Sequence, residues 1–373
     1  MRVILTEAAE GSAVVCRSLL SSAVVFNPDP CSNKSMKAWR IPTFGIDKLS
    51  LDEVPEPHPG PGQVVLDVHA VSLNYRDLMT VQGAYNPKLQ PHRIPCSDGA
   101  GTIVAIGKGV TRVAVGDRVA GIFFQHWFEG DPEAEKFKGT LGGDIDGTLA
   151  QQILLHEDGV VKIPEHLSFE EAATLPCAGV TAWNALVTAG RVKSGDTVLI
   201  QGTGGVSCFA LQFAHALGAR VLGTSSSADK LRRAGELGLD AGHNYREDPE
   251  WARWAVTQTG GQGVDITVEV GGAGTFQQSM AATRTGGVIA QIGVLAGREQ
   301  SLTITPILHK MLQIRGIYVG SRQHFQEMNR ALSQTGIRPV IDRVFSFGEA
   351  REAFTTMENA SHFGKIVISV KSF

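Results

Sequence analysis

Charge of either sign is scarce in this sequence, and paired cysteine is missing. Lys and Arg number 34 against 37 Asp and Glu in 373 residues, and only 19% of positions are charged. No basic stripe stands ready to neutralise a phosphate backbone, which speaks against nucleic acid as a partner. The 5 cysteines, Cys16, Cys31, Cys96, Cys177 and Cys208, are odd in number and follow neither metal-type nor disulfide-type spacing, so a reducing compartment is expected. The longest stretch without charge, 197–219, is broken by Gly202, Gly204, Gly205, Gln201 and Gln212. It reads as a buried strand and helix, not as a membrane span. Disorder is excluded by a hydrophobic content of 43%.

Glycine is abundant, at 43 residues without a Gly-X-Y period, which implies many tight turns and close backbone approaches. At about 150 residues per domain the length predicts two or three domains, most simply two. Residues 1–35 carry Arg2, Arg17 and Lys34 against Glu7, Glu10 and Asp29, a balance that fits neither a transit peptide nor a secretory signal cleanly. They read as a disordered tail or a misplaced start, with Met36 the functional beginning. A cytoplasmic location follows, or a mitochondrial one if residues 1–35 act as a presequence.

From Met36 onward, β-branched alternation between Gly and Pro turns predicts a mostly β domain. The polar, Gly-rich stretch 124–146 reads as a long surface loop. Past Leu167 strands alternate with helices: strands at 197–201, 220–224, 264–270 and 287–293, helices at 205–217 and 228–237. This alternation predicts an α/β fold with a doubly wound parallel sheet.

The string VLIQGTGGVS, 198–207, places a glycine turn between the first strand and helix. Gly202 permits the turn, Gly204 lets phosphates approach, and the helix opening at Gly205 and Val206 offers backbone amides and a partial positive charge to a pyrophosphate. Ser207 stands where a third glycine is usual, and its small side chain still allows helix and strand to pack. Val206, Phe209, Ala210, Phe213, Ala214 and Leu217 share one helix face, Gly218 ends the helix, and a second strand starts at Arg220. The complete unit points to dinucleotide binding; a structural turn is the alternative. At the end of the second strand stand Ser225, Ser226 and Ser227 with Lys230 close behind, and no acid. Hydroxyls and a lysine suit a 2′-phosphate, hence NADP(H). The alternative has Ser226 capping the next helix, Lys230 as a surface charge and Asp229 turned inward toward a ribose.

With GTGGVS, TSSSADK, HNYRE and SHFGKIVI in place, the chain resembles the medium-chain dehydrogenase/reductase superfamily, in its zinc-free quinone-reductase-like and alcohol-dehydrogenase-like branch, from Met36 to Val370. The resemblance implies a GroES-like catalytic domain from 36–165 and 318–373, with a Rossmann domain, 166–317, between. It pairs Lys230 with Tyr245 on the 2′-phosphate, sets Thr181 under the nicotinamide and Gly293 beside it, and brings Lys365 to the cofactor from the returning segment. It also implies a homodimer joined through edge strands near 312–319. At the zinc-ligand positions of the superfamily stand Asn74, Ser97 and Cys177, a set that cannot build a tetrahedral site, so no metal is expected and Cys177 reads as a small buried hydrophobe. Tyr85 matches the tyrosine that donates a proton in zinc-free enoyl reductases; the alternative is that it only lines the pocket or packs on a turn. Asn74 and Asp77 position the nicotinamide ribose or tie down their loop. Phe123, Phe124, Trp127 and Phe128 line an apolar pocket or simply pack. The expected activity is NADPH-dependent, zinc-independent hydride transfer to an activated C=C or quinone, a small-molecule substrate with no membrane partner. An alcohol dehydrogenase or ketone reductase, and an NADPH-binding protein without turnover, are the alternatives.

Overall fold

Residues 34–371 are described by the structure, a computed structural model. The tail reading of residues 1–35, apart from Lys34 and Ser35, lies outside the described residues.

Alternating apolar residues build the first half. β1 (Ser35–Arg40) and β2 (Ser50–Pro55) form an antiparallel ribbon. β3 (Gln63–Ser72), β4 (Asp98–Ile106), β5 (Arg118–Gly121), β6 (Gln152–His156) and β7 (Val160–Lys162) follow, with β3 pairing antiparallel to both β4 and β6. Val64, Leu66, Val68 and Ala70 of β3 are fully buried, as a period-two strand facing a core requires.

The middle of the chain forms a six-stranded parallel sheet from β8 (Thr197–Gln201), β9 (Arg220–Ser225), β10 (Ala241–Asn244), β11 (Val264–Glu269), β12 (Thr283–Gln291) and β13 (Gln313–Gly316). Its spatial order, β10-β9-β8-β11-β12-β13, is that of a Rossmann sheet, in which the order reverses between β8 and β11 and opens a crevice at the strand ends. β12 starts at Thr283, before the expected Gly287, because a register shift opposite β11 keeps its polar beginning paired. The helix Gly205–Ala216 buries Phe209, Ala210, Phe213 and Ala214 against this sheet, each large side chain contributing about 1.5–3 kcal/mol, while Leu217 stays 38% exposed beyond the helix end.

The chain then returns. β14 (Ile341–Ser346) runs parallel to β15 (Lys365–Ser369), and β15 joins the first-half sheet antiparallel to β3, with Val367 opposite Ser72. This pairing carries Lys365 to the chain that leaves β3 at Leu73 and Asn74.

The stretch 124–146 is not a surface loop throughout. Phe124, Trp127 and Leu141 are buried, while the run from Glu129 to Glu135 and the single residues His126, Lys138 and Asp144 face solvent. Spaced aromatic anchors, invisible to a reading by average polarity, pull both ends inward. Among the described residues no helix is long and apolar enough to cross a membrane.

Candidate active site

At the glycine turn, Gly202 adopts φ +66°, a left-handed conformation that glycine takes without strain. A Cβ built on Gly202 or Gly204 meets nothing within 4 Å, so the turn lies open to the crevice. Gly204 is the extended N-cap of the helix Gly205–Ala216, whose first amides have no partner within the helix. Together they form a cradle shaped for a pyrophosphate, and the residues present fit a dinucleotide. Ser207 is buried and its hydroxyl donates to the Gln201 carbonyl at 2.7 Å, fastening helix to strand where the third glycine was expected.

The returning segment closes one side of this turn. The Gly364 amide donates to Thr203 O at 2.9 Å, and a Cβ on Gly205 would lie 2.4 Å from Cδ of Lys365. The Lys365 stem therefore crosses the helix start. Its ammonium does not end at the turn but continues to Leu73 O at 2.5 Å and Asn74 Oδ1 at 2.6 Å, and the residue is only 4% exposed.

Asn74 begins a relay of hydrogen bonds. Its Nδ2 donates to Ser97 Oγ at 3.4 Å, Ser97 donates to Asp98 Oδ1 at 2.7 Å, and the Cys177 amide donates to Asp98 Oδ2 at 3.0 Å. Burial pushes the Asp98 carboxyl up, opposed by the Lys365 charge. Cys177 is only partly covered, a correction to the buried hydrophobe expected there; desolvation holds its thiol well above the ordinary value. It sits in a π-helical turn, Leu175–Gly179, a local widening frequent at functional sites. Asn74, Ser97 and Cys177 thus meet at one corner, with an ammonium already bound to the amide oxygen, a hydroxyl turned to a carboxylate and a protonated thiol. That chemistry does not fit a zinc ion, which takes thiolate or imidazole nitrogen and is repelled by an adjacent cation. No group of three or more His, Cys, Asp or Glu suited to a metal occurs among the described residues.

Asp77 accepts the Asn74 amide at 2.8 Å and thereby anchors the helix Tyr75–Val81. Burial raises its carboxyl to about 6, against the opposing pull of Arg76, whose Nη1 is 3.6 Å away. The Tyr85 hydroxyl lies 2.5 Å from that of Tyr318. Beneath the Tyr85 ring, 5.0 Å from its centroid, is the Arg76 guanidinium, itself 4.9 Å from the Phe123 ring. Phe123, Phe124 and Trp127 are buried packing residues, and Phe128 is partly covered under Arg322. Arg76, Asp98 and Tyr318 escaped sequence reasoning. Arg76 and Asp98 stand next to residues already singled out, Asp77 and Ser97, whereas Tyr318 carries no local signal.

At the far end of the crevice the Tyr245 amide donates to Ser225 O at 3.1 Å, bringing β9 and the Asn-Tyr pair together. Ser225 is buried and Tyr245 is 41% exposed. Ser227, not Ser226, caps the next helix, accepting the Lys230 amide at 3.3 Å; Ser226 remains half-buried beside it. Asp229 is exposed and paired with Arg232 at 3.0 Å, so it does not turn inward. The Lys230 ammonium donates to Ala360 O at 3.2 Å and His362 O at 2.9 Å. Thr181 is buried in the helical segment after Cys177, and Gly293 follows β12, its amide donating to Glu269 O at 3.2 Å.

Comparison with known proteins agrees with this architecture. Residues 60–165 match the alcohol dehydrogenase GroES-like domain, and residues 205–334 match the family described as zinc-binding dehydrogenase. A zinc-type alcohol dehydrogenase-like protein of Schizosaccharomyces pombe is 41% identical, covering 87% of this chain and 96% of its own. An acryloyl-coenzyme A reductase of Sulfurisphaera tokodaii is 26% identical over 85% of this chain and 95% of its own. The crystal structure of a putative alcohol dehydrogenase from Sinorhizobium meliloti 1021 superposes with a TM-score of 0.85 at 39% identity, covering 91% of this chain and 100% of that one. The chain belongs to the medium-chain dehydrogenase/reductase superfamily, in its alcohol-dehydrogenase-like branch, and is an NAD(P)H-dependent oxidoreductase.

Proposed function

We propose that this enzyme is an NADPH-dependent, metal-independent reductase of activated C=C bonds or quinones. The observation that carries the reading is the ammonium of Lys365 bound to Asn74 Oδ1, in the corner where zinc-dependent members of the superfamily hold their metal. A fixed cation and a nearby phenol replace a Lewis acid with hydrogen-bonding groups. The similarity to an acryloyl-coenzyme A reductase supports a conjugated C=C as acceptor.

The amides of Gly204, Gly205 and Val206 would hold the pyrophosphate; Ser225, Ser226, Lys230 and Tyr245 the 2′-phosphate; Thr181, Gly293, Lys365, Asn74 and Asp77 the nicotinamide end. When bound, the reduced nicotinamide supplies a hydride to the acceptor. The Tyr85 hydroxyl donates its proton to the atom that gains negative charge. Asp77 fixes Asn74, and Asn74 fixes the Lys365 ammonium. Phe123 and Phe124 close the floor against water.

The catalytic domain comprises 36–165 and 318–373, and the cofactor domain 166–317. A homodimer forms along β13, whose residues are all exposed and border Ile304, Leu308 and Met311, each more than two-thirds exposed. The names of the relatives favour a second reading, interconversion of a carbinol and a carbonyl. The test is a panel of cyclohexenone, crotonyl-coenzyme A, benzoquinone, acetaldehyde and acetone with NADPH and with NADH. Turnover of an enone, enoyl thioester or quinone with NADPH is expected; turnover of aldehyde or ketone alone contradicts the first reading.

A further inference from the structure

From the pairing of Tyr85 with Tyr318 we infer that proton delivery runs through both phenols, Tyr318 handing its proton to Tyr85 above the buried guanidinium of Arg76. This rests on the reading of Tyr85 as the proton donor.

Three observations carry the inference. The two hydroxyls are 2.5 Å apart, at the short end for an O–H···O bond, and either oxygen is able to donate. Tyr85 is half-buried whereas Tyr318 is 46% exposed, so Tyr318 is the member of the pair more open to water. Arg76 is 7% exposed, and its Nε and Nη2 are buried without a hydrogen-bond partner among the described residues. A buried cation with spare donors, its carbon 5.0 Å from the Tyr85 ring, stabilises negative charge arising on that phenol.

The surroundings hold the dyad still. Tyr318 packs edge-on against Phe124 at 4.9 Å and Phe123 at 6.2 Å, and tilted on Phe137 at 5.7 Å. On the Tyr85 side, Arg298 Nη2 donates to Ala84 O at 3.1 Å, tying the neighbouring residue to the loop after β12. The charged or titratable groups that act on the pair are Arg76 and Cys177, with Asp77 paired to Arg76 and Arg298 held at Ala84.

The step balances with solvent water as the only further reactant, left as hydroxide. A hydride from the reduced nicotinamide leaves the acceptor as an enolate or hydroquinone anion. The Tyr85 O–H bond breaks and its proton joins that anion. The Tyr318 O–H proton moves to the Tyr85 oxygen, and a water proton restores Tyr318. Tyr318 thus acts through Tyr85, without touching the substrate.

The experiment measures kcat, its pH profile and a proton inventory in mixed H2O and D2O, using whichever of cyclohexenone, crotonyl-coenzyme A and benzoquinone turns over fastest with NADPH. Tyr85→Phe should lower kcat by about 100-fold, the lower range for loss of a general acid. Tyr318→Phe should lower it by about tenfold, a partial loss of the same effect. The wild-type inventory should be curved and that of Tyr318→Phe linear. Phenylalanine preserves the ring packing, and matching unfolding midpoints exclude a folding defect. Retention of rate and curvature in Tyr318→Phe, with Tyr85→Phe impaired, would overturn the relay alone. Unchanged turnover in Tyr85→Phe, or no turnover of any probe by the wild type, would overturn the underlying reading as well.

Discussion

Lys365 and Asn74 are 291 residues apart in sequence, yet the lysine ammonium lies 2.6 Å from the asparagine amide oxygen. The contact joins the start of β15 to the helix after β3, and places a positive charge between the glycine turn and the corner formed by Ser97, Asp98 and Cys177. The first prediction follows from it. Lys365→Met leaves Asp98 buried without its nearby countercharge and should lower the unfolding free energy by roughly 3 kcal/mol. Denaturant titration reads the change. A loss below about 0.5 kcal/mol, the range of an ordinary surface substitution, contradicts the assignment.

Lys230 addresses the choice of nucleotide. Its ammonium sits beside Ala360 and His362, with no inward acid at the end of β9. Lys230→Ala should weaken NADPH binding by about tenfold, the worth of one charge-assisted contact, and leave NADH affinity within about twofold. Fluorescence titration with both nucleotides is the check; equal weakening of both assigns Lys230 to the fold.

Asp77 predicts a pH dependence of stability. Burial raises its carboxyl from 3.8 to about 6, so the folded state binds the proton more tightly than the unfolded chain. The contribution is therefore fully present below 3.8 and is lost as pH rises through about 6. At most it amounts to roughly 3 kcal/mol, about two pK units. Asp77→Asn keeps an acceptor for the Asn74 amide but does not titrate. The stability of wild type relative to this variant should fall across that window, and a flat difference contradicts it.

The exposed edge at β13 predicts self-association. Ile314→Arg places a charge on that strand and should convert a dimer to monomer in sedimentation at micromolar concentration. An unaltered sedimentation coefficient moves the interface elsewhere or removes it.

Legibility from sequence followed the range of the interactions. The unit 197–225 was readable because apolar period, glycine turn and helix stop lie within thirty residues of one another, and Ser207 is small enough to serve where glycine is usual. The doubly wound parallel sheet was readable through the same local alternation, whereas the order of its strands came from the structure. Residues meeting across the crevice were less readable. Lys365 was singled out, but its end on Asn74 depends on β15 pairing with β3. Tyr318 stands in an unremarkable segment and meets Tyr85 only because the chain after β13 passes over Phe123 and Phe124. The stretch 124–146 misled for the opposite reason: its average polarity hid a few buried aromatic anchors.

Turnover before and after metal removal decides whether the reaction depends on a metal ion. The purified enzyme is dialysed against a strong chelator, its metal content measured, and NADPH oxidation followed with the preferred enone, enoyl thioester or quinone. An unchanged kcat is expected in the metal-free protein. Loss of turnover, restored by added zinc, would contradict it.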